Sequence, residues 1–546
     1  MKLLRLSLAC FALLFVLSTT PARAQIVPPN APPKSSQLQF EKQRRDANAI
    51  QEPAGFLDHV VEGKLTLSLD DTIRLALENN TDIRMDREQI ETAKDALQRA
   101  LGPFDPLAQS SFNTFRTLSP PFSDIAASNS LTQLTQVGVT QTLETGTNYQ
   151  VNFNSVKGSS NAPVNTLNPF YSTSLSFTFT QPLLRGFGLF VNRAPILIAQ
   201  RGISQSRANF EMEVNDLILQ VVTDYWNVVQ ARENLVVQRE SLDEAQKSYD
   251  RDKHALELGA LAPLDIYRSE SQVASRRVSV IQSEYTLKQM EDQLRRALGA
   301  DVDPNIRALD LDLTQKAEPT GDLMAIDIPT ALEKSLGYRP ELESVRQQLA
   351  IDDANLRVAH NSLLPNLSLS GTYQTNGLGG NQISGSGAAA PGGFGDAVSQ
   401  MFGFGFPGYG FGVSLSYPFR NHQAQANMGD ALSAKRHDLY SERLLHEQIT
   451  LDVTNAVHQL EESKLSMEAA KVALDLAQKT LQAEQHKHEL GAETVFFVLE
   501  AQTELTQAQQ TLLQAQVGYQ LAAVAVDHAT GGLLARFQVQ ITNLAH

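Results

Sequence analysis

The spacing of apolar side chains changes period several times along this chain. From about Ala194 to Glu257, and again from about Gln423 to Glu489, Ala, Gln, Leu, Glu and Lys dominate, with almost no Gly or Pro. Apolar positions there recur at three- and four-residue steps, as at Leu474, Ala477 and Leu481, which predicts amphipathic helices. At ~1.5 Å per residue, each stretch makes a rod of roughly 100 Å, far beyond a globular helix. The apolar stripe is thin and rich in alanine, so such rods must pack against other rods. A Leu-Gly-Ala break follows each, and a second helix runs from Pro263 to Ala297 or from Val495 to Ala529. Shorter helices precede the rods, about Asp70 to Glu78 and Pro329 to Leu336, each followed by a longer one that stops before Pro106 or Pro365.

Between these helices the period becomes two. Leu175, Phe177 and Phe179 alternate with Ser174, Ser176 and Thr178; Leu367, Leu369 and Tyr373 alternate with Ser368, Ser370 and Thr372; Phe411, Val413, Leu415 and Tyr417 alternate mainly with Gly and Ser. These are strands with one apolar face and one small, polar face. Alternation alone fits a core facing solvent as well as lipid facing an aqueous lumen. From Gln136 to Asn154 the same alternation brackets Glu144-Thr145-Gly146-Thr147 and predicts an extra β-hairpin. The Gly-rich stretch Asn376 to Gly412 reads as a mobile loop, with no lysine after it to make a phosphate loop.

The order of elements is written twice. Ser241 to Ala260 matches Ala473 to Ala492 at about half its positions, at an offset that continues to Gly299 and Gly531. A second offset sets Ile83 on Leu342, Leu97 on Leu356 and Pro106 on Pro365. The resulting plan is a leader over 1–24, a Pro- and Gln-rich extension over 25–64, a first copy over 65–300, a linker over 301–322, a second copy over 323–532 and a tail over 533–546.

Composition narrows the function classes. The 546 residues include one Trp and one Cys, with 7% aromatics. Lys2 and Arg5 precede the apolar run Leu6 to Leu17, and Ala22-Arg23-Ala24 supplies a cleavage pattern, so an export signal is expected and Cys10 leaves with it. The remaining chain carries 42 basic and 60 acidic residues, a net charge of −18. An acidic, thiol-free, exported chain argues against nucleic acid and excludes a disulfide scaffold. No later stretch is long and apolar enough for a membrane-spanning helix, so entry into a bilayer would be through β-strands. Asp301, Asp303 and Asn305 superficially suggest a calcium loop, but Pro304 and the missing Gly and distal Glu make a linker turn. His486 and His488 are spaced poorly for a metal site, and no nucleophile elbow or catalytic carboxylate pair appears; no catalytic group, cofactor or metal is expected.

On the duplicated order of helices and strands, the exit Gln181-Pro182-Leu183-Leu184, and the twin tips Glu257-Leu258-Gly259-Ala260 and Glu489-Leu490-Gly491-Ala492, residues 65 to 533 resemble the TolC-like outer-membrane efflux family, the exit ducts of tripartite pumps and type I secretion systems. The resemblance implies a mainly α protomer with membrane β-strands. Three copies would form a 12-stranded β-barrel in outer-membrane lipid on a 12-helix α-barrel across the periplasm. It further implies a periplasmic adaptor docking at Leu258, Gly259, Ala260, Leu490, Gly491 and Ala492, and an inner-membrane RND or ABC transporter as the driver. Two aspartates ring the family's closed aperture; the matching positions here are Phe497 and Glu500, a hydrophobic constriction and a cation-attracting ring. The family's latch of Tyr, Arg and Asp is matched by His488, Glu493 and Asp265. Only the Asp survives, leaving a contact between His488 and Asp265 that protonation of the imidazole would strengthen, against a merely solvated His488. The extra hairpin is expected as a flap beside a four-strand set, the alternative being entry into the wall and 18 strands in all. A periplasmic coiled-coil scaffold is the competing reading, and an exported hydrolase the third.

Overall fold

The structure is a computed structural model that describes residues 53–120, 125–162, 165, 167–258, 263–301, 303–319, 323–382, 392–490 and 492–539, without the side chains of 263–265 and 382. The expected leader, the extension up to residue 52, and Gly259, Ala260 and Gly491 lie outside the described residues. The first copy runs β1 (Val60–Val61), β2 (Lys64–Leu67), α1 (Leu69–Asn79), α2 (Thr81–Leu101), β3 (Leu107–Leu118), β4 (Asn129–Thr142), β5 (Asn148–Ser160), β6 (Leu167–Pro182), α3 (Leu189–Glu257) and α4 (Pro263–Leu298). A connector holds α5 (Pro304–Arg307) and β7 (Asp310–Leu313). The second copy runs α6 (Ile328–Tyr338), α7 (Pro340–Ser362), β8 (Asn366–Gln382), α8 (Phe394–Phe402), β9 (Pro407–Ser416), α9 (His422–Glu489) and α10 (Val495–Ala529), followed by α11 (Leu533–Arg536).

α3 and α9 contain 69 and 68 residues. The shorter α2 and α4 pack along α3, and α7 and α10 along α9; α7 and α10 also lie against α3, which ties the two copies together. The duplication reaches backbone detail. α4 and α10 both end on a left-handed glycine, Gly299 (φ +69°) and Gly531 (φ +70°). The next N–H in each case closes the helix, from Ala300 to the Arg295 carbonyl (2.9 Å) and from Gly532 to the Asp527 carbonyl (2.7 Å). A Cβ on Gly299 would stand 2.7 Å from the Asn79 carbonyl oxygen, and one on Gly531 would stand 3.0 Å from the Tyr338 backbone. Asn79 and Tyr338 are the last residues of α1 and α6, so the same pair of helix ends abuts in each copy.

The main apolar core lies where α1, α3, α4 and α10 meet β2 and β7. Trp226 is buried there edge-on to Tyr225. The Tyr225 hydroxyl donates to the Leu67 carbonyl (3.4 Å) and accepts from the Gln315 N–H (3.3 Å). Two expectations are corrected here. Residues 53–64 do not wander as an extension, because Phe56 is buried in this core and β1 pairs with β2. The connector is more than a linker, since β7 adds to β2 in parallel and buries Leu313 beside Leu67.

The second sheet is antiparallel throughout, in the order β3-β4-β5-β6-β8-β9. The extra hairpin is β4 and β5, and it pairs on both sides inside this sheet. Among the described residues the chain therefore supplies six strands to this sheet, and the flap beside a four-strand set is not what it folds. One face carries the row Ala108, Val139, Val151, Phe177, Tyr373 and Tyr409, directly opposite one another across all six strands. The other carries Gln109, Gly138, Asn152, Ser176, Gln374 and Gly408. A depression of about 390 Å³ beside β3, β4 and β5 is lined mostly by residues of that polar face.

The Gly-rich stretch is largely ordered, which corrects its reading as a loop. It supplies the end of β8, then α8, then the start of β9; residues 383–391 lie outside the described residues. α8 lies back on the apolar face of the sheet, where Thr173 and Thr375 hydroxyls donate to the Ala397 and Met401 carbonyls (2.9 and 2.8 Å). Gly377 and Gly379 permit this approach, because a Cβ on either would overlap the carbonyl oxygen of Ala397 or of Gly393.

Candidate functional site

The rods end in two helical hairpins built alike. Leu258 follows α3 at φ −82°, ψ −3°, and Leu490 follows α9 at φ −79°, ψ −3°. Their N–H groups donate to the His254 and His486 carbonyls, both at 3.1 Å. In the second tip the Ala492 N–H also closes on the Lys487 carbonyl (3.0 Å). Pro263 opens α4, a position where the missing N–H costs nothing. Leu258 and Leu490 are 73% and 72% exposed, so each tip offers a large apolar side chain to solvent, and Ala492 is exposed beside Leu490.

α10 leaves the second tip with two distinct sides. Val495 and Val498 are buried and seat the helix, while Phe496, Phe497 and Glu500 are exposed on the other side. Phe496 and Phe497 meet edge to face at 5.4 Å between ring centroids. Arg268 of α4 lies 5.7 Å from the Phe496 ring, a cation–π contact between the two hairpins. His488 does not stand free: its Nδ1 lies 3.0 Å from the Glu493 carbonyl oxygen, within its own tip. Glu493 contributes its backbone to that contact and is half-buried. Asp265 sits in the first turn of α4, and its side chain lies outside the described residues.

The seam joining α10 to α3 and α4 is polar. Gln502 donates to the buried Ser248 hydroxyl (3.1 Å), the Ser241 and Thr506 hydroxyls share a hydrogen bond (3.1 Å), and Arg276 donates to Thr503 (2.8 Å). Within the first hairpin, the buried Ser269 hydroxyl donates to the buried Asp252 carboxylate. Each neutral bond of this kind contributes only about 0.5–1.5 kcal/mol net. Sequence reasoning missed Arg268, Phe496 and this seam; the available signal was the run of Ser, Thr and Gln at positions where a coiled coil places apolar residues.

Farther along the rods, α7 and α9 bring two carboxylates together. Asp352 is buried, and burial, reinforced by Asp438 opposite, pushes its carboxyl up to about 6. A hydrogen bond with His437, 2.7 Å away, holds Asp438 below the usual range. Among the described residues no group of three or more His, Cys, Asp or Glu side chains could hold a metal. A larger cavity of about 810 Å³ lies beside Trp226 and Tyr519, near the main core and away from the tips.

Duplicated long hairpins joined to a two-faced antiparallel sheet are the features by which the chain compares with known proteins. The family model described as "Outer membrane efflux protein" matches residues 134–300 and 331–532, more than half of the chain, which therefore belongs to that family and to the outer membrane. Over 318 residues it is 24% identical to the "Probable outer membrane lipoprotein SilC" of Salmonella typhimurium, covering 58% of this chain and 63% of that protein. It is 25% identical over 374 residues to the outer membrane protein TolC of Escherichia coli, covering 66% and 70%. The chain thus spans under two thirds of SilC. Its fold is similar to the CmeC outer membrane channel of Campylobacter jejuni, with TM-score 0.62 and 17% identity over 91% of this chain and 97% of that one.

Proposed function

We propose that three copies of this chain assemble into an export duct that passes substrates from an inner-membrane RND or ABC transporter to the exterior. The observation that carries this reading is the union, in one duplicated protomer, of a two-faced sheet with roughly 100 Å rods. A periplasmic scaffold has use for the rods but none for such a sheet. Conduction is passive, and the driving transporter selects the cargo. The exposed Leu258 and Leu490, with Gly259, Ala260, Gly491 and Ala492 around them, receive a periplasmic adaptor. Phe497 and Glu500 line the constriction, where three carboxylates about one axis attract cations and the phenyl rings oppose wetting. His488 and Glu493 brace the second tip, and Asp265 stands in the first turn of the helix beside it. Glu500→Ala should weaken block by divalent cations in planar-bilayer recordings while leaving assembly intact. Unchanged block would remove Glu500 from the mouth.

A further inference from the structure

The two ends of the six-stranded sheet are unfinished. β3 pairs only with β4, and β9 only with β8, so each leaves one row of backbone N–H and C=O groups without a ladder partner among the described residues. Every residue of both strands is exposed, including Phe112 and Phe115 on β3 and Tyr409 and Phe411 on β9. Hydrocarbon cannot satisfy those backbone groups, and a sheet survives there only when closed. With six strands alternating in direction, β3 and β9 run antiparallel, as an edge must to join its opposite in a neighbouring copy.

We propose that β3 of each copy pairs with β9 of the next, with the β4–β5 hairpin inside the wall, so that three copies close an 18-stranded barrel with an uncharged lumen. This rests on the duct reading above and sharpens it. At a strand spacing of about 4.8 Å and a tilt of about 40°, 18 strands span about 36 Å between opposing backbones, against about 24 Å for 12. The polar face supplies the lining: Ser, Thr, Asn, Gln and Gly predominate, and no Asp, Glu, Lys or Arg stands on it among the described strand residues. The only charged residues in these strands, Arg116 and Lys157, fall on the apolar face, toward the strand ends farthest from the rods. There they suit anionic headgroups at the outer surface. The membrane section is therefore wide and indifferent to charge, and selection by charge is left to the hairpin tips.

The only cysteine, Cys10, lies in the expected leader, so disulfide mapping starts from a thiol-free mature chain. Ser111→Cys on β3 is combined in turn with Gly410→Cys, Gly412→Cys and Ser414→Cys on β9, and oxidised in native membranes. A separate pair, Asn152→Cys with Ser176→Cys, reports whether β5 lies beside β6. The expected result is a covalent trimer from one β3–β9 register, together with the β5–β6 bond inside a single chain. A covalent trimer through Ser111→Cys and β9, in a protein whose Asn152→Cys and Ser176→Cys pair forms no bond, places the hairpin outside the wall. That outcome overturns the proposal and leaves the duct reading standing. Intrachain bonds in a protein that forms no oligomer in membranes overturn both.

Discussion

Replacing Gly299 by alanine tests whether the helix-end contact repeated in both copies fixes α4 against α1. Two costs add. At φ +69° a Cβ strains the backbone by roughly 1–2 kcal/mol. The new methyl would also lie 2.7 Å from the Asn79 carbonyl oxygen, well inside normal contact, so one helix end must shift. Overpacking of this kind costs about 1–3 kcal/mol. The sum is about 2–5 kcal/mol. Gly531→Ala, with 3.0 Å to Tyr338, should fall toward the lower end of that range. Gly63→Ala is the control: its φ is +78°, yet nothing lies within 4 Å, so only the backbone strain of roughly 1–2 kcal/mol remains. Chemical denaturation in detergent, followed by far-UV circular dichroism at matched protein concentration, measures all three. Equal losses at Gly299 and Gly63 would refute the close-approach argument, and no loss at Gly299 would dismiss the contact altogether.

Asp352→Asn should flatten the pH dependence of stability. Because the folded-state pKa of Asp352 is raised from 3.8 to about 6, the parent loses stability as pH climbs through that interval, where the native state must surrender a proton it holds more tightly than the unfolded chain. The difference in denaturation midpoint between variant and parent should therefore grow from pH 4 to pH 6.5; parallel profiles would show that neither burial nor Asp438 raises the Asp352 carboxyl. Arg268→Ala removes the Phe496 contact between the hairpins, about 0.5–2 kcal/mol per copy, and should raise the frequency of open events in single-channel records. An unaltered gating record would mean the contact does not hold the tips.

Periodicity exposed the rods because their pattern persists for many turns, and the repeated offsets predicted that both copies would end alike. The small sheet escaped notice because its strands are too short to establish a period: Lys64-Leu65-Thr66-Leu67 and Asp310-Leu311-Asp312-Leu313 alternate, but over four residues each. α8 was hidden for another reason. Glycines in the surrounding stretch suggested freedom, whereas Gly377 and Gly379 are small to admit a helix onto the strand. At the tips, the apolar exposure of Leu258 and Leu490 and the split between Val495 and Phe497 follow from helix geometry. The partner of His488 did not, because it is a main-chain carbonyl reached around a turn, and no side-chain pairing rule finds it.

The seam of hydroxyls and amides beside α10 gives the molecule two kinds of joint. Where Trp226 packs, parting the helices would bare hydrocarbon to water; where Ser248 meets Gln502, water can replace each lost bond nearly one for one. The ends of the rods are thus a wet bearing and the middle a dry clamp, so thermal motion can work the former without loosening the latter.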